Sequence, residues 1–156
     1  MAITTGDKAP QFDLEETYDR RVRLSDFLGE KNVLLVFHPY AFTPLCAEEA
    51  ADLQENLPSF RAANTEVVFV SCDTSAARQA WKAQLGAEFV FASDFWGHGA
   101  VAQAYGVFDE SVGVAQRGTF LIDVEGTVIW SLVNDIDTKR DQLVAESLDA
   151  ASASDC

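Results

Sequence analysis

Two stretches of the chain are apolar without interruption, Val33 to Phe37 and Val67 to Val70, and β-branched residues are frequent in both. Short runs of this kind fit strands covered on both faces. Asn32 to Pro39 is therefore expected at the centre of a sheet, with Glu66 to Ser71 as a second buried strand. Between them Leu53, Leu57 and Phe60 recur among polar residues at helical spacing. This predicts a helix from Ala47 to Ala62, with Glu48 and Glu49 in the first turn, where the helix dipole favours acids.

The same reading extends over the rest of the chain. Gln11 to Leu14 and Val22 to Leu24 read as short strands around a polar turn, and Ser25 can cap a helical turn from Asp26 to Leu28. A helix capped by Asp73 or Ser75 is expected to run to Leu85 and end at Gly86. Phe89 to Ala92 reads as a third strand and Gly99 to Tyr105 as a short helix. The segment GTFLIDVEGTVIWSL reads as a hairpin turning at Glu125 and Gly126. Thr138 to Ala151 is the expected last helix, and 152–156 a loose tail. Alternating strands and helices, then a hairpin and a closing helix, predict an α/β fold with a mixed central sheet, in keeping with a thioredoxin-like core and an N-terminal extension.

The composition narrows the class. A chain of 156 residues that is 48% hydrophobic suits one domain over residues 1–156. The formal charge of −14, from 11 Lys and Arg against 25 Asp and Glu, repels phosphate backbones and anionic lipid. Neither nucleic acid nor membrane is expected as a partner, and no apolar run is long enough to span a bilayer. Cys46, Cys72 and Cys156 are too few and too irregularly spaced for a disulfide framework or a structural zinc site. A reducing, cytoplasmic setting is the expectation.

The chemistry converges on Cys46, which follows the central strand in HPYAFTPLCAEEA and opens the long helix. Open α/β sheets place ligands at this carboxyl end. A thiol with a pKa of about 8.5 needs a nearby positive field to become a thiolate nucleophile at neutral pH. A helix dipole supplies at most ~2 kcal/mol, worth about 1.5 pKa units, so a guanidinium is needed as well. Arg117, which opens the apolar strand GTFLI, is the candidate, although a strand-end Arg is more often a surface ion-pair partner. Thr43 can turn its hydroxyl toward the sulfur or cap the helix. Pro39 ends the strand and Pro44 stiffens the loop. His38 continues a buried strand and His98 lies between two glycines, which disfavours a Cys-His hydrolase. Phe95 and Trp96 are expected to wall the pocket or an interface.

With these residues in place, the chain resembles the peroxiredoxins, whose P-x-x-x-[TS]-x-x-C signature is matched by Pro39, Thr43 and Cys46. The resemblance extends through GDKAPQFDL, SDFWGHGAVAQAYGVFD and RGTFLID, and is greatest to the one-cysteine alkyl hydroperoxide reductase E type. It implies that Cys46 is the peroxidatic cysteine, Thr43 and Arg117 its activators, and Glu49 a polar support. By position alone Glu49 is an ordinary first-turn acid. The implied activity is thiol-dependent reduction of hydrogen peroxide, organic hydroperoxides and, among candidate substrates, peroxynitrite, with no metal or other cofactor. The resemblance also implies a homodimer paired through loops near the site.

The oxidised cysteine must then be reduced. No C-x-x-C pair exists, and Ala51 stands five places after Cys46, where a helix-borne resolving cysteine would lie. Cys72 follows the neighbouring strand and is a candidate resolver, against which stands the usual burial of a cysteine just past a hydrophobic strand. Cys156, on the tail, can reach a partner subunit. The preferred reductant is an external thiol or small redoxin. A thiol-disulfide oxidoreductase and a non-catalytic thioredoxin-fold binding or chaperone module are the alternatives. The first lacks a second cysteine, and joint retention of Thr43, Cys46 and Arg117 argues against the second.

Overall fold

The computed structural model describes residues 2–154. The two apolar runs form β3 (Asn32–Phe37) and β4 (Thr65–Ser71), paired in parallel with Leu34 opposite Val67 and Phe37 opposite Val70. β1 (Asp13–Thr17), β2 (Arg20–Arg23), β5 (Val90–Ser93), β8 (Arg117–Ile122) and β9 (Val128–Asn134) complete a seven-stranded sheet in the order β2-β1-β5-β4-β3-β8-β9. β3, β4 and β5 run parallel; β8 pairs antiparallel with β3, and β1 with β5. The sheet is therefore mixed and β3 central, as the sequence predicts. A further pair, β6 (Phe108–Asp109) and β7 (Val114–Ala115), forms a separate antiparallel hairpin that the pattern did not reveal, because two-residue strands show no alternation.

Alternate residues of the inner strands feed two cores. Val33, Leu35, Phe37, Val68 and Val70 pack with Phe120 and Tyr105 on one face. Leu34, Val36, Val67 and Phe69 face the helices α1 (Pro44–Glu55), α2 (Leu57–Ala62), α3 (Ser75–Leu85) and α5 (Leu143–Ser154) on the other. The fifth helix, α4 (Ala100–Ala104), buries Ala102 in the first core. This two-faced burial is why β3 and β4 are apolar at every inner position.

Several boundaries differ from expectation. The long helix starts three residues early, since Pro44 takes the first helical position, where its missing N–H costs nothing. It also breaks at Asn56, which caps α2, a helix with Pro58 as its second residue. Glu48 and Glu49 accordingly lie in the second turn. α3 is capped by Thr74, whose hydroxyl accepts the Ala77 N–H at 3.2 Å, and not by Asp73 or Ser75. The last helix begins at Leu143, five residues later than expected, because the backbone before it is engaged elsewhere: Asn134 donates to the carbonyls of Thr138 and Lys139. It runs to Ser154, so 152–154 are helical where a loose tail was expected. Among the described residues no helix is long and apolar enough to cross a membrane.

Candidate active site

The chain leaves β3 at Phe37 and passes through His38, Pro39 and Tyr40 before entering α1, so the end of the central strand delivers the cysteine. Phe42, in this loop, adopts φ +62°, a left-handed conformation costly for a bulky residue. The loop is latched to the end of β4, where the Asp73 carboxylate accepts the Ala41 N–H at 2.8 Å and the Ser71 hydroxyl at 2.5 Å. The first helical hydrogen bond of α1 runs from Ala47 N–H to the Thr43 carbonyl. The N–H groups of Leu45 and Cys46 thus have no intrahelical acceptor.

Cys46 is buried, and Arg117 Nη1 donates to its Sγ at 3.3 Å. The same Nη1 donates to Glu49 Oε1 at 2.6 Å, and Arg117 Nε to the Ile136 carbonyl at 2.9 Å. Cys46 and Glu49 are three residues apart on α1, hence on one helix face. Glu49 also receives three hydrogen bonds from Arg140: Nη2 to Oε1 at 2.8 Å, backbone N–H to Oε2 at 2.9 Å and Nε to Oε2 at 3.0 Å. Arg140 Nη1 reaches the Gly118 carbonyl and the Thr119 hydroxyl of β8. Burial pushes the Glu49 carboxyl upward, but the hydrogen bonds and charge of Arg140, then the charge of Arg117, hold it below the ordinary carboxylate range. Two buried guanidiniums thus share one carboxylate, which leaves one positive charge uncompensated beside the Cys46 sulfur.

The sequence reading brought Pro39, Thr43, Cys46, Glu49 and Arg117 into one site, and they do meet here. Arg140 was missed: TKRDQ is polar, and in an expected helix such a run reads as a solvated face. Thr43 occupies the N-cap position of α1 but makes neither expected contact, because its hydroxyl donates to the Tyr40 carbonyl at 2.8 Å and its side chain does not cap the helix. A pocket of about 350 Å³ opens beside Arg117, lined by Pro39, Tyr40, Thr43, Pro44, Leu45, Arg117, Ile136 and Asp137, with Cys46 buried behind it. A larger cavity of about 410 Å³ lies between Asp13, Glu15, Asp94 and Trp96 and is lined by no cysteine. Phe95 and Trp96 line that second cavity and do not wall the Cys46 pocket.

His38 is fully buried and gives no hydrogen bond to Cys46, which removes the geometry of a Cys-His hydrolase. Cys72 is half-buried. Burial, then the charges of Asp94 and Asp73, push its thiol up to about 11, even though the Ala115 N–H favours the anion. Cys156 lies outside the described residues. Among those residues no three His, Cys, Asp or Glu side chains converge as a metal-ligating group.

Comparison with known proteins identifies the family. The model of the AhpC/TSA family matches residues 5–131. Alkyl hydroperoxide reductase E of Mycobacterium tuberculosis is 40% identical over 152 residues, 97% of this chain and 99% of that protein. The chloroplastic 2-Cys peroxiredoxin BAS1 of Spinacia oleracea is 34% identical, covering 86% of this chain and 54% of its own length. The reduced 2-Cys peroxiredoxin of Plasmodium vivax superposes with a TM-score of 0.85 at 31% identity, covering 97% of this chain and 81% of that one. The peroxidoxin BcpB of M. tuberculosis superposes at 0.87 with 26% identity, covering 97% of each chain. The chain belongs to the AhpC/TSA family of peroxiredoxins and is a thiol-dependent peroxidase.

Proposed function

We propose that Cys46 is the peroxidatic thiol, with Arg117 as its activator, Thr43 lining the pocket through which substrate arrives, Pro39 shielding the sulfur and Glu49 holding Arg117 in place. The observation that carries this reading is the single guanidinium nitrogen of Arg117, bonded at once to Cys46 Sγ at 3.3 Å and to Glu49, beneath a pocket open to a small substrate. The thiolate attacks the terminal oxygen of a hydroperoxide. An S–O bond forms as the O–O bond breaks, the electron pair leaves on the departing oxygen, and a proton converts that oxygen to water or an alcohol. Charge thus moves from sulfur to the leaving oxygen. Arg117 and the free N–H groups of Leu45 and Cys46 are available to stabilise it at both ends of the path.

Arg117→Met is expected to move the Cys46 thiolate absorbance curve to higher pH. It should also slow oxidation about a hundredfold even where the thiolate is complete, the usual cost of removing a donor to developing charge. Peroxide consumption with excess dithiol, followed across pH, checks both. A variant that recovers the full rate at alkaline pH would remove Arg117 from the second role.

The proposal extends to a one-cysteine cycle. The sulfenic acid of Cys46 meets an external thiol or small redoxin, releasing water and forming a mixed disulfide that a second thiol reduces. Cys72 is poorly suited to resolve it, since a thiol held up to about 11 supplies little thiolate at neutral pH. Cys72→Ser should therefore keep both oxidation rate and turnover. Loss of two free thiols per chain in oxidised wild type, absent from this variant, would make Cys72 the resolver. Hydrogen peroxide, organic hydroperoxides and peroxynitrite are the proposed substrates and the cytoplasm the proposed setting. Exposed Tyr40 and Phe42 on the active-site loop support a homodimer formed there, testable by sedimentation.

A further inference from the structure

A third buried arginine lies behind the site, and the reaction as described does not use it. Arg78, on α3, is fully buried, yet no carboxylate lies within ion-pair distance among the described residues. Its guanidinium spends its donors on neutral acceptors: Nη2 on the Phe69 carbonyl at 2.6 Å, Nε on the Ala92 carbonyl at 3.0 Å and Nη1 on His38 Nε2 at 2.5 Å. It also packs over the rings of Phe91 at 4.9 Å, Phe69 at 5.4 Å and Trp81 at 5.9 Å. Trp81 in turn faces Phe42 of the catalytic loop at 6.1 Å and His38 at 5.4 Å. A buried cation held only by neutral groups is expensive unless anions act on it through space.

His38 is the element that ties this cation to the site. It directly precedes Pro39, and its ring stacks on Phe69 at 4.0 Å between centroids. An arginine can only donate, so Nε2 accepts and the ring proton of neutral His38 sits on Nδ1. Nδ1 makes no hydrogen bond of ordinary geometry, although the Tyr40 backbone beside the ring favours its proton. His38 stays neutral because burial, then the charges of Arg78, Arg140 and Arg117, hold it well below its ordinary range. It therefore lies within the field of the arginine behind the site and of both arginines within it.

We propose that Arg78, held by His38, is a positioning residue for the peroxide reaction: its buried guanidinium is a further positive charge behind Cys46, and ionisation of Cys46 supplies part of its missing counter-charge. The charges gathered at this end of the sheet support the assignment. Burial disfavours the charge on Arg78, and the anions that favour it are Asp73, then Cys46, then Cys72. Asp73 is engaged by Ala41 and Ser71, and Cys72 is protonated near neutrality, so Cys46 is the member of this set whose ionisation changes during turnover. Arg78 touches neither sulfur nor substrate in this account; it acts on the ground-state thiolate alone.

The inference rests on Cys46 as the reacting thiol, and its test is independent of peroxide. In the wild type, the ¹⁵N resonances of the Arg78 side chain and the His38 ring should step at the pH where the Cys46 thiolate absorbance appears, with His38 in the Nδ1–H form. Both should stay flat in Cys46→Ser. Signals that do not move as the thiolate forms would overturn the proposal. In Arg78→Gln the absorbance curve should move up by about one pH unit, slowing iodoacetamide alkylation about tenfold at pH values well below the wild-type midpoint. The alkaline plateau should match the wild type, and Arg78→Lys should restore the curve. A folded Arg78→Gln protein with an unshifted curve would equally refute it, and if that variant does not fold, the wild-type resonances decide. Normal coupling in a protein whose Cys46 failed to react with peroxide would defeat the peroxidatic assignment and leave this one standing.

Discussion

Cys46→Ser is expected to lower the second-order rate with hydrogen peroxide by roughly a thousandfold or more, down to the background reaction. The substitution is nearly isosteric in a buried position, and the hydroxyl can still accept from Arg117, so far-UV circular dichroism should be unchanged. What is lost is ionisation, because a serine hydroxyl does not become an anion near neutral pH in this field. Stopped-flow mixing measures the effect. A rate in the variant within tenfold of the wild type, about 1.4 kcal/mol in barrier, would mean that another group carries the chemistry.

The second large effect falls on stability. Glu49→Ala removes the acceptor of four hydrogen bonds and strands Arg117 and Arg140 as buried cations. Breaking a buried pair from one side costs about 3–5 kcal/mol, which for a chain of this size lowers the melting temperature by about 10 °C. Activity should fall with it, since Arg117 loses the carboxylate that orients it. Glu49→Gln separates the contributions: it retains an acceptor for the guanidiniums and loses the charge. The pH dependence has a fixed sign. The folded carboxyl titrates below its ordinary value of 4.5, so its stabilisation is complete above that pH and is lost as the pH falls through the depressed value. Thermal melts in this acid range should drop more steeply for the wild type than for Glu49→Gln, and parallel curves would contradict the linkage.

How far the sequence could be read depended on what each residue's burial left visible. β3 and β4 were legible because strands covered on both faces are apolar at every inner position, and Pro39, Thr43 and Cys46 because the loop between β3 and α1 has a characteristic spacing. Arg117 stood out as a cation at the head of an apolar strand. Arg140 and Arg78 did not, for a common reason. Each lies in a polar or amphipathic run, TKRDQ or SAARQAW, where periodicity assigns a charged residue to solvent, and only the tertiary fold reveals the carboxylate or carbonyls that make burial tolerable. Thr43 shows the converse limit: spacing placed it at the helix start, but which acceptor its hydroxyl takes is decided by the path of the Tyr40 carbonyl, itself set by the strained turn at Phe42. The break at Asn56 was written in the sequence as Pro58 and was overridden in the reading by the continuing Leu53, Leu57, Phe60 stripe.

The proposed cycle requires that the Cys46 sulfur meet peroxide and that its sulfenic acid find no internal partner. Mass spectrometry of the reduced protein after one equivalent of hydrogen peroxide tests both at once. The expected product is a chain heavier by one oxygen atom, the added mass mapping to the peptide that carries Cys46 and trapped there by dimedone. A chain lighter by two hydrogens, with Cys46 joined to another cysteine, or oxygen added elsewhere while Cys46 stays reduced, would contradict it.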